Sequence, residues 1–141
     1  MEKDYPDLLR ALVTGWPGLI NGEQVMVGST LTTLSGITAG FENPANLKAA
    51  ASAGFIRFTI VDDPQGDVTR SAVVDMEVFA LTYSRGMAIA MRSCSILLSV
   101  RKVGGVILDR RSTPSGPKEV RWDDDDDVRR FVSTHRISTR R

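Results

Sequence analysis

Two carboxylates spaced two residues apart are the pair in this chain whose spacing suits acid–base chemistry. Asp75 and Glu77 occur in a stretch where polar and apolar residues alternate, so both project from one face of a strand, about 7 Å apart. That separation suits the paired carboxylates of a glycoside hydrolase. Such a site also needs an aromatic-lined cleft, and aromatic residues make up only 6% of the chain. We therefore interpret the pair as a solvated or inter-subunit edge of a sheet.

The single histidine and the single cysteine limit the other kinds of catalysis. His135 has no serine, cysteine or second histidine at a spacing typical of a catalytic triad. Cys94 excludes an internal disulfide, and its place in a helical pattern favours a small core residue over a reactive thiol. The glycines form neither a phosphate-binding loop nor a dinucleotide fingerprint. We therefore predict no catalytic, cofactor-binding or metal-binding residue, and a protein that is not an enzyme.

A run of aspartates is the densest charge in the sequence, and it consists of Asp123, Asp124, Asp125, Asp126 and Asp127. Clustered carboxylates attract hard cations such as magnesium and calcium. However, adjacent residues of an extended chain point in different directions, and the run lacks the spacing of a calcium loop. The run is a solvated acidic loop, a cation site or a functional charge. The segment that follows it is basic and contains Arg129, Arg130 and Arg136.

Length and composition indicate one soluble globular domain. The chain has 141 residues, of which 42% are hydrophobic and 25% charged. A domain of this size buries roughly two-thirds of its unfolded surface. The formal net charge of +1 removes any bulk-charge argument for nucleic-acid or membrane binding. The first residues are acidic and polar, and no apolar run reaches the length of about eighteen residues that a membrane span needs. We expect residues 1–141 to form one domain with no membrane partner.

The elements that must position these groups are clearest between Thr69 and Val100. Strict alternation from Ala72 to Ala80 predicts a strand in a sheet with one buried side and one wet side. Ser84 is placed to cap an amphipathic helix that ends near Val100. The apolar stripe of that helix predicts packing on the buried side of the sheet. A wet side that is ordered, polar and chemically quiet suits subunit contacts better than turnover of a substrate.

The other segments predict shorter elements. Helices are predicted for residues 5–13 and 43–53, the second capped by Asn43. Strands are predicted for residues 24–27, 54–61, 106–111, 118–122 and 128–138, and turns for residues 16–18, 21–22, 62–67 and 113–117. Residues 28–40 form an irregular strand or a loop. The fold class is α+β, a mostly antiparallel sheet with one long amphipathic helix packed on one face and a short N-terminal helix.

From residue 74 onward these elements follow one another in a distinctive order. The strand VDMEVFA (residues 74–80) precedes a helix rich in alanine, and a later strand leads to Gly116–Pro117. Trp122 with acidic residues comes next, and then an arginine-rich last strand that begins Arg129-Arg130-Phe131. This order resembles the tail terminator proteins of long-tailed bacteriophages, in particular the tail-completion or minor tail proteins of actinobacterial phages. The initial helix DYPDLLRALV fits the same scheme, whereas residues 28–53 do not match it.

The resemblance implies a structural role in the virion. Tail terminators share an α+β fold and form a hexameric ring at the head-proximal end of the tail tube. The ring stops tube polymerisation and presents the surface on which the DNA-filled head docks. The implied partners are further copies of this chain in a homohexamer, the tail tube protein, the head-to-tail connector (stopper) protein, and DNA that passes through without sequence-specific binding. The implied location is the head-proximal end of the virion tail, after assembly in the host cytoplasm.

Within such a ring the acidic run has two possible placements. It faces the channel, where negative charge repels the DNA backbone and lets it slide, or it pairs with arginines of an adjacent subunit. The candidate arginines are Arg129, Arg130, Arg136, Arg140 and Arg141. The alternative function is a small cytoplasmic binding module that contacts nucleic acid through its basic C-terminus. Salt-dependent DNA binding would support that alternative, because phosphate contacts weaken steeply as counterion concentration rises.

Overall fold

The computed structural model of the protein describes residues 7–62, 69–122 and 127–140. Its elements are α1 (Leu8–Ile20), β1 (Gln24–Val27), β2 (Thr30–Thr33), β3 (Thr38–Gly40), α2 (Leu47–Ala53), β4 (Phe55–Asp62), β5 (Thr69–Ala80), α3 (Tyr83–Ser99), β6 (Lys102–Val103), β7 (Val106–Glu119) and β8 (Arg129–Arg140). Four predicted site residues, Asp123, Asp124, Asp125 and Asp126, lie outside the described residues, as do Arg141 and most of the predicted turn at residues 62–67.

A six-stranded sheet in the order β3-β4-β5-β8-β7-β6 forms the centre of the described fold, and β1 and β2 form a separate antiparallel pair. In the six-stranded sheet β3 and β4 are parallel, and the other neighbouring strands are antiparallel. The α+β class predicted from the sequence is confirmed, and the sheet is mixed rather than purely antiparallel. The predicted antiparallel pairing of the strand after Gly54 with the strand from Thr69 is present as β4 and β5.

The two faces of the sheet pack against different helices. On one face, alternate residues of β5 such as Met76 and Val78 join the main core with Trp16 of α1 and Ile89 of α3. On the other face a smaller cluster forms at one end, where Ala51 of α2 packs with Phe55, Phe79 and Val128. The strand period of two therefore distributes apolar residues to both faces at this end of the sheet.

Beyond α2 the second face of the sheet carries polar, half-buried or exposed side chains. We call this surface the open face and define it by Thr59, Ser71, Val73, Asp75, Ser112, Thr134, Arg136 and Ser138. These residues lie on β4, β5, β7 and β8, and the register of the strands places them side by side. The wet side that the sequence predicted for β5 is therefore one part of a surface that spans four strands.

Helix α1 extends further than predicted, because residues 16–18 are helical and do not form a turn. Pro17 lies inside the helix, which ends at Ile20. Trp16 and Ile20 are fully buried, and the Trp16 ring meets the ring of Phe58 edge-on at 5.3 Å between centroids. Burial of these side chains outweighs the turn preference of Pro17 and Gly18, so the predicted turn is wrong.

The caps of the other two helices lie a few residues from their predicted positions. Asn46, and not Asn43, caps α2 by accepting the backbone N–H of Ala49 at 3.0 Å. Asn43 instead accepts a hydrogen bond from the Arg57 guanidinium. The cap of α3 is Thr82, whereas Ser84 lies within the helix. None of the helices formed by the described residues is both long enough and apolar enough to cross a membrane.

Strand β7 is continuous through residues 113–117, where a turn was predicted. Its register against β8 shifts between Ser112 and Ser115 and again between Ser115 and Lys118. Strand β6 pairs with the first two residues of β7, and no other described strand pairs with β7 on that side, so the rest of β7 is a sheet edge within the described fold. Edge positions and bulges tolerate the missing N–H of proline. The turn prediction is therefore wrong, and two predicted strands merge into one.

Gly86 allows α3 to lie directly on the sheet. A methyl group added to Gly86 would lie 2.0 Å from the Cε2 atom of Phe131, which is fully buried. We expect Gly86→Ala to lower the free energy of unfolding by about 1–3 kcal/mol, because overpacking outweighs the better helix propensity of alanine. Urea denaturation measures the change.

Gly18→Ala is the matched control for this substitution. Gly18 is an exposed residue of α1, and no atom lies within 4 Å of its added methyl group. We expect this variant to gain up to about 1 kcal/mol from helix propensity alone. Equal stability of Gly86→Ala and the unchanged protein would contradict the close packing of α3 on Phe131.

Candidate functional site

A network of one carboxylate and two guanidinium groups lies where the open face meets α2. The Nη2 atom of Arg57 donates to both carboxylate oxygens of Glu77, at 2.9 and 2.8 Å, and its Nε donates to Oε1 at 3.0 Å. Arg130 donates to Oε2 of the same carboxylate at 3.4 Å. The strand register brings these three side chains together, because Arg57 lies opposite Glu77 and Arg130 lies opposite Phe79, on the same face of the sheet.

Aromatic rings hold both arginines of this network. The Arg57 guanidinium lies 5.6 Å from the centre of the Phe79 ring, and that of Arg130 lies 5.1 Å from the centre of the Trp122 ring. The rings of Phe79 and Trp122 are themselves in edge-on contact at 5.1 Å. Cation–π contacts of this kind are worth about 0.5–2 kcal/mol each. Arg130, a predicted interface residue, is therefore part of the internal packing of the chain.

The carboxylate pair that suggested acid–base chemistry is engaged inside the chain. Asp75 accepts a hydrogen bond from the Thr134 hydroxyl at 2.7 Å. Glu77 is buried, with 8% of its surface exposed, and it binds the two arginines described above. The prediction of a solvated or inter-subunit edge is therefore wrong for Glu77. The reason is that β4 and β8 each place an arginine beside it, which a pattern within one strand does not reveal.

Two further predicted site residues have partners at the same end of the sheet. The Asp127 carboxylate lies 2.7 Å from the Lys48 ammonium of α2, and the hydrogen bond from Lys48 lowers the pKa of Asp127. Arg129 donates to Glu119 at 2.9 Å and lies over the Tyr83 ring. The structure therefore brings Asp127, Arg129 and Arg130 to one end of the sheet and gives each a partner within the chain.

Arg136 lies apart from these residues, at the opposite end of the open face. It lines a groove of about 620 Å³ together with Ser71, Arg110, Arg111, Ser112 and Ser138, and with Leu98 and Asp109 at its margin. We call it the arginine groove. Its rows follow from the register, since Ser138 lies between Ser71 and Arg110, and Arg136 lies opposite Ser112.

The arginines of the groove differ in how they are held. Arg111 donates to the backbone carbonyls of Leu108 at 2.7 Å and Leu98 at 3.2 Å. Both acceptors are uncharged, so these bonds leave the positive charge of Arg111 unneutralised. Arg110 and Arg136 are exposed. Within residues 7–62, 69–122 and 127–140, neither of these two guanidinium groups has a carboxylate partner. The groove is therefore a cationic surface lined with serine hydroxyls.

Sequence reasoning missed a polar cluster beneath α3. The Nε2 atom of His135 lies 2.8 Å from the Ser133 hydroxyl and 3.8 Å from the Cys94 sulfur, and its Nδ1 lies 3.1 Å from the Thr113 hydroxyl. Ser133 and His135 share one face of β8 because they are two residues apart. That spacing was the available signal. The spacing around His135 is not that of a catalytic triad, and the fold brings Ser133, Cys94 and Thr113 to its ring.

Burial sets the protonation state of this cluster. It lowers the pKa of His135 to about 4. It also raises the pKa of the Cys94 thiol, an effect that the hydrogen bond with Ser133 partly offsets. At neutral pH the imidazole is neutral and the thiol protonated, whereas a cysteine nucleophile needs a thiolate. In the part of the chain that the structure describes, no three histidine, cysteine, aspartate or glutamate side chains converge to hold a metal ion.

Comparison with known proteins finds a likeness of fold. No protein-family model matches the chain, and no curated protein matches it. The fold is similar to that of a chain in a solved structure described as the virion of a native gene transfer agent particle. The TM-score is 0.52 at 15% sequence identity, and the alignment covers 75% of this chain and 79% of that chain. At this identity the likeness shows that the two chains share a fold.

Stability should depend on pH through His135. The pKa of the folded chain's imidazole is about 4 and its ordinary value is 6.5, so between these pH values the unfolded state binds the extra proton. Stability therefore falls as the pH falls through this range. We expect the free energy of unfolding to drop by about 2 kcal/mol between about pH 7.5 and pH 5.

Urea titrations at the two pH values measure this drop. His135 is the only histidine of the chain, so His135→Gln should remove most of the difference whatever its effect on absolute stability. Equal stability of the unchanged protein at both pH values would contradict a buried, neutral imidazole.

Removal of the negative charge of Glu77 should destabilise the fold. Glu77→Gln leaves Arg57 and Arg130 side by side without their shared anion, at side-chain exposures of 22% and 21%. We expect a loss of about 2–3 kcal/mol in the free energy of unfolding. Glu119→Gln is the matched control, since its pair with Arg129 is more exposed and should be worth less than about 1 kcal/mol. Similar losses for the two variants would show that the Glu77 network is no stronger than a surface pair.

Proposed function

We propose that this chain is a structural protein of a phage-like virion and that its copies form a ring at the head-proximal end of the tail tube. The observation that carries the proposal is the likeness of its fold to a virion-particle chain over three-quarters of its length. The order of features that resembles tail terminators supports the finer assignment. In this role the ring ends tube polymerisation and presents the surface on which the head docks.

The edges of the sheet support assembly with further copies. Among the residues that the structure describes, β3 pairs only with Phe55–Arg57 of β4 and β6 only with Val106–Ile107 of β7, so within this part of the chain each side of the sheet has an open edge. These two edges differ in sequence and shape. Two different surfaces at opposite sides of a subunit suit a head-to-tail contact, which closes into a ring when the rotation between copies divides a full turn.

Proline limits how those edges can be used. Pro114 and Pro117 lie in the exposed edge of β7 and carry no backbone N–H, which disfavours the addition of another strand there. At this edge, contacts between copies would then be made by side chains and not by strand addition. Such contacts are compatible with a subunit that must not polymerise without limit.

The alternative function, nucleic-acid binding through the basic C-terminus, stays a prediction. The C-terminal segment is β8, which lies between β5 and β7 in the sheet, and Arg129 and Arg130 are in ion pairs. Of the three arginines in the predicted site, Arg136 is the one that the structure leaves on an open groove. This arrangement favours the virion role over a flexible basic tail.

The proposed role predicts a defined copy number and a defined defect. Purified virions should contain six copies of this chain, located at the head-proximal end of the tail by electron microscopy. Particles produced without it should have over-long tails that are not joined to heads, and the chain supplied in trans should restore normal tails. Absence of the chain from purified virions, or a copy number incompatible with sixfold symmetry, would contradict the proposal.

A further inference from the structure

We infer that the arginine groove is a docking site for the acidic run, Asp123 to Asp127, of a neighbouring copy of this chain. The inference rests on the proposed ring and names the charges that join its subunits. It assigns the two ends of the sheet to the two halves of one head-to-tail contact.

The chemistry of the groove suits carboxylates. Arg110, Arg111 and Arg136 with Asp109 give its charged lining a net charge of +2. Arginine binds carboxylates through paired N–H donors, and serine hydroxyls add further donors to the same oxygens. The three serines, Ser71, Ser112 and Ser138, lie in the same rows as Arg110 and Arg136. A chain segment with several adjacent carboxylates therefore matches the groove in charge and in hydrogen bonding.

The acidic run cannot reach the groove of its own copy. Trp122, which precedes the run, packs on Phe79, and Asp127, its last residue, is ion-paired to α2. Five residues of chain span at most about 18 Å, so a loop held at both ends extends no more than about 9 Å. Along β8 the distance from Arg130 to Arg136, the first groove residue on that strand, is about 20 Å. The complementary charges of one copy are therefore separated by the length of the sheet.

The two arginines that follow the acidic run in the sequence are already engaged. Arg129 pairs with Glu119 and Arg130 pairs with Glu77, so these two predicted partners of the aspartates have carboxylates of their own. Arg136 and Arg110 have none among the residues that the structure describes. Of the two placements that the sequence left open for the run, these contacts favour pairing with a neighbour, and they direct it to the far end of the sheet.

DNA phosphates carry oxyanions too, and they are the competing occupant of the groove. The second copy is favoured because the chain itself carries the matching charge, at the end opposite the groove. Each contact joins the groove of one copy to the acidic run of the next. The unused run of the first copy and the unused groove of the second remain free for further copies. That property defines a head-to-tail interface.

A charge exchange tests the inference in particles that lack the native chain. One variant, Arg110→Glu/Arg136→Glu, reverses the groove. The second, Asp124→Lys/Asp125→Lys/Asp126→Lys, reverses the run and keeps Asp127 on α2. Each variant alone should be incorporated at least tenfold less than the unchanged chain, because like charges then meet at every contact. When the two variants are produced together, they should be incorporated in equal amounts at near-normal copy number. In a ring where the two variants alternate, every groove again faces a run of opposite charge.

The control is a charge reversal away from both surfaces. Arg10→Glu changes an exposed arginine of α1 and should be incorporated normally. Circular dichroism and urea denaturation of each purified variant confirm that it folds. Normal incorporation of the single variants, or failure of the mixture to recover, overturns the inference while the unchanged chain remains in the virion. Absence of the unchanged chain from virions overturns the proposed function itself.

Mobility-shift assays with duplex DNA separate the two occupants. Equal and weak DNA binding by the unchanged chain and by Arg110→Glu/Arg136→Glu is expected. Salt-sensitive DNA binding that only the unchanged chain shows, together with normal incorporation of the variant, would make the groove a phosphate site and overturn the inference.

Discussion

The pairing of β5 with β8 is the constraint on which the rest of the structure depends. The two strands run antiparallel over twelve residues each, and every side chain goes to one face or the other by position alone. One face receives the main core and the Ser133–His135 pair, and the other receives Glu77, Arg130 and Arg136. A shift of one residue would exchange these sets, placing charges under α3 and apolar residues in water. The register is therefore strongly specified on both sides.

Each face of this pairing also contains polar groups that burial would penalise without partners. Under α3, His135 is neutral and bonded to hydroxyls, which avoids the cost of a buried charge. On the other face Glu77 retains its charge because Arg57 and Arg130 bind it from two neighbouring strands. The two buried groups are stabilised differently because α3 covers the first face, while the second face remains partly accessible. The ion pairs of Glu77 also link strands β4, β5 and β8 beneath the open face.

Local sequence signals predicted the elements whose pattern repeats over many residues. The alternation in β5 and the apolar stripe of α3 are such patterns, and both elements lie close to their predicted positions. Short signals failed where long-range packing opposed them. Pro17-Gly18 is a turn signal, yet burial of Trp16 and Ile20 keeps α1 helical through it. The signal at residues 113–117 failed because β8 pairs with β7 before, within and after it, at Ser112, Ser115 and Lys118.

The candidate site was predictable in its residue types and not in its partners. The basic character of the C-terminal segment is evident from the sequence, but which arginines are engaged depends on residues far away in the chain. Glu77 is 53 residues from Arg130, and Glu119 is 10 residues from Arg129. Arg110 was not a candidate at all, since only the β7–β8 register places it beside Ser138. Sequence spacing within one strand carries no information on the neighbouring strands.

The near-neutral composition conceals an uneven distribution of charge along the sheet. The formal net charge is +1, yet five aspartates directly precede β8 in the sequence and the arginine groove lies towards the C-terminal end of that strand. In the docking that we infer, these two ends attract each other between copies and not within one, because the distance along the sheet exceeds the reach of the acidic run. Attraction of this kind is directional, since a groove accepts a run and does not accept another groove. In the proposed ring such a subunit would associate head to tail, and the rotation between successive copies would decide whether the assembly closes.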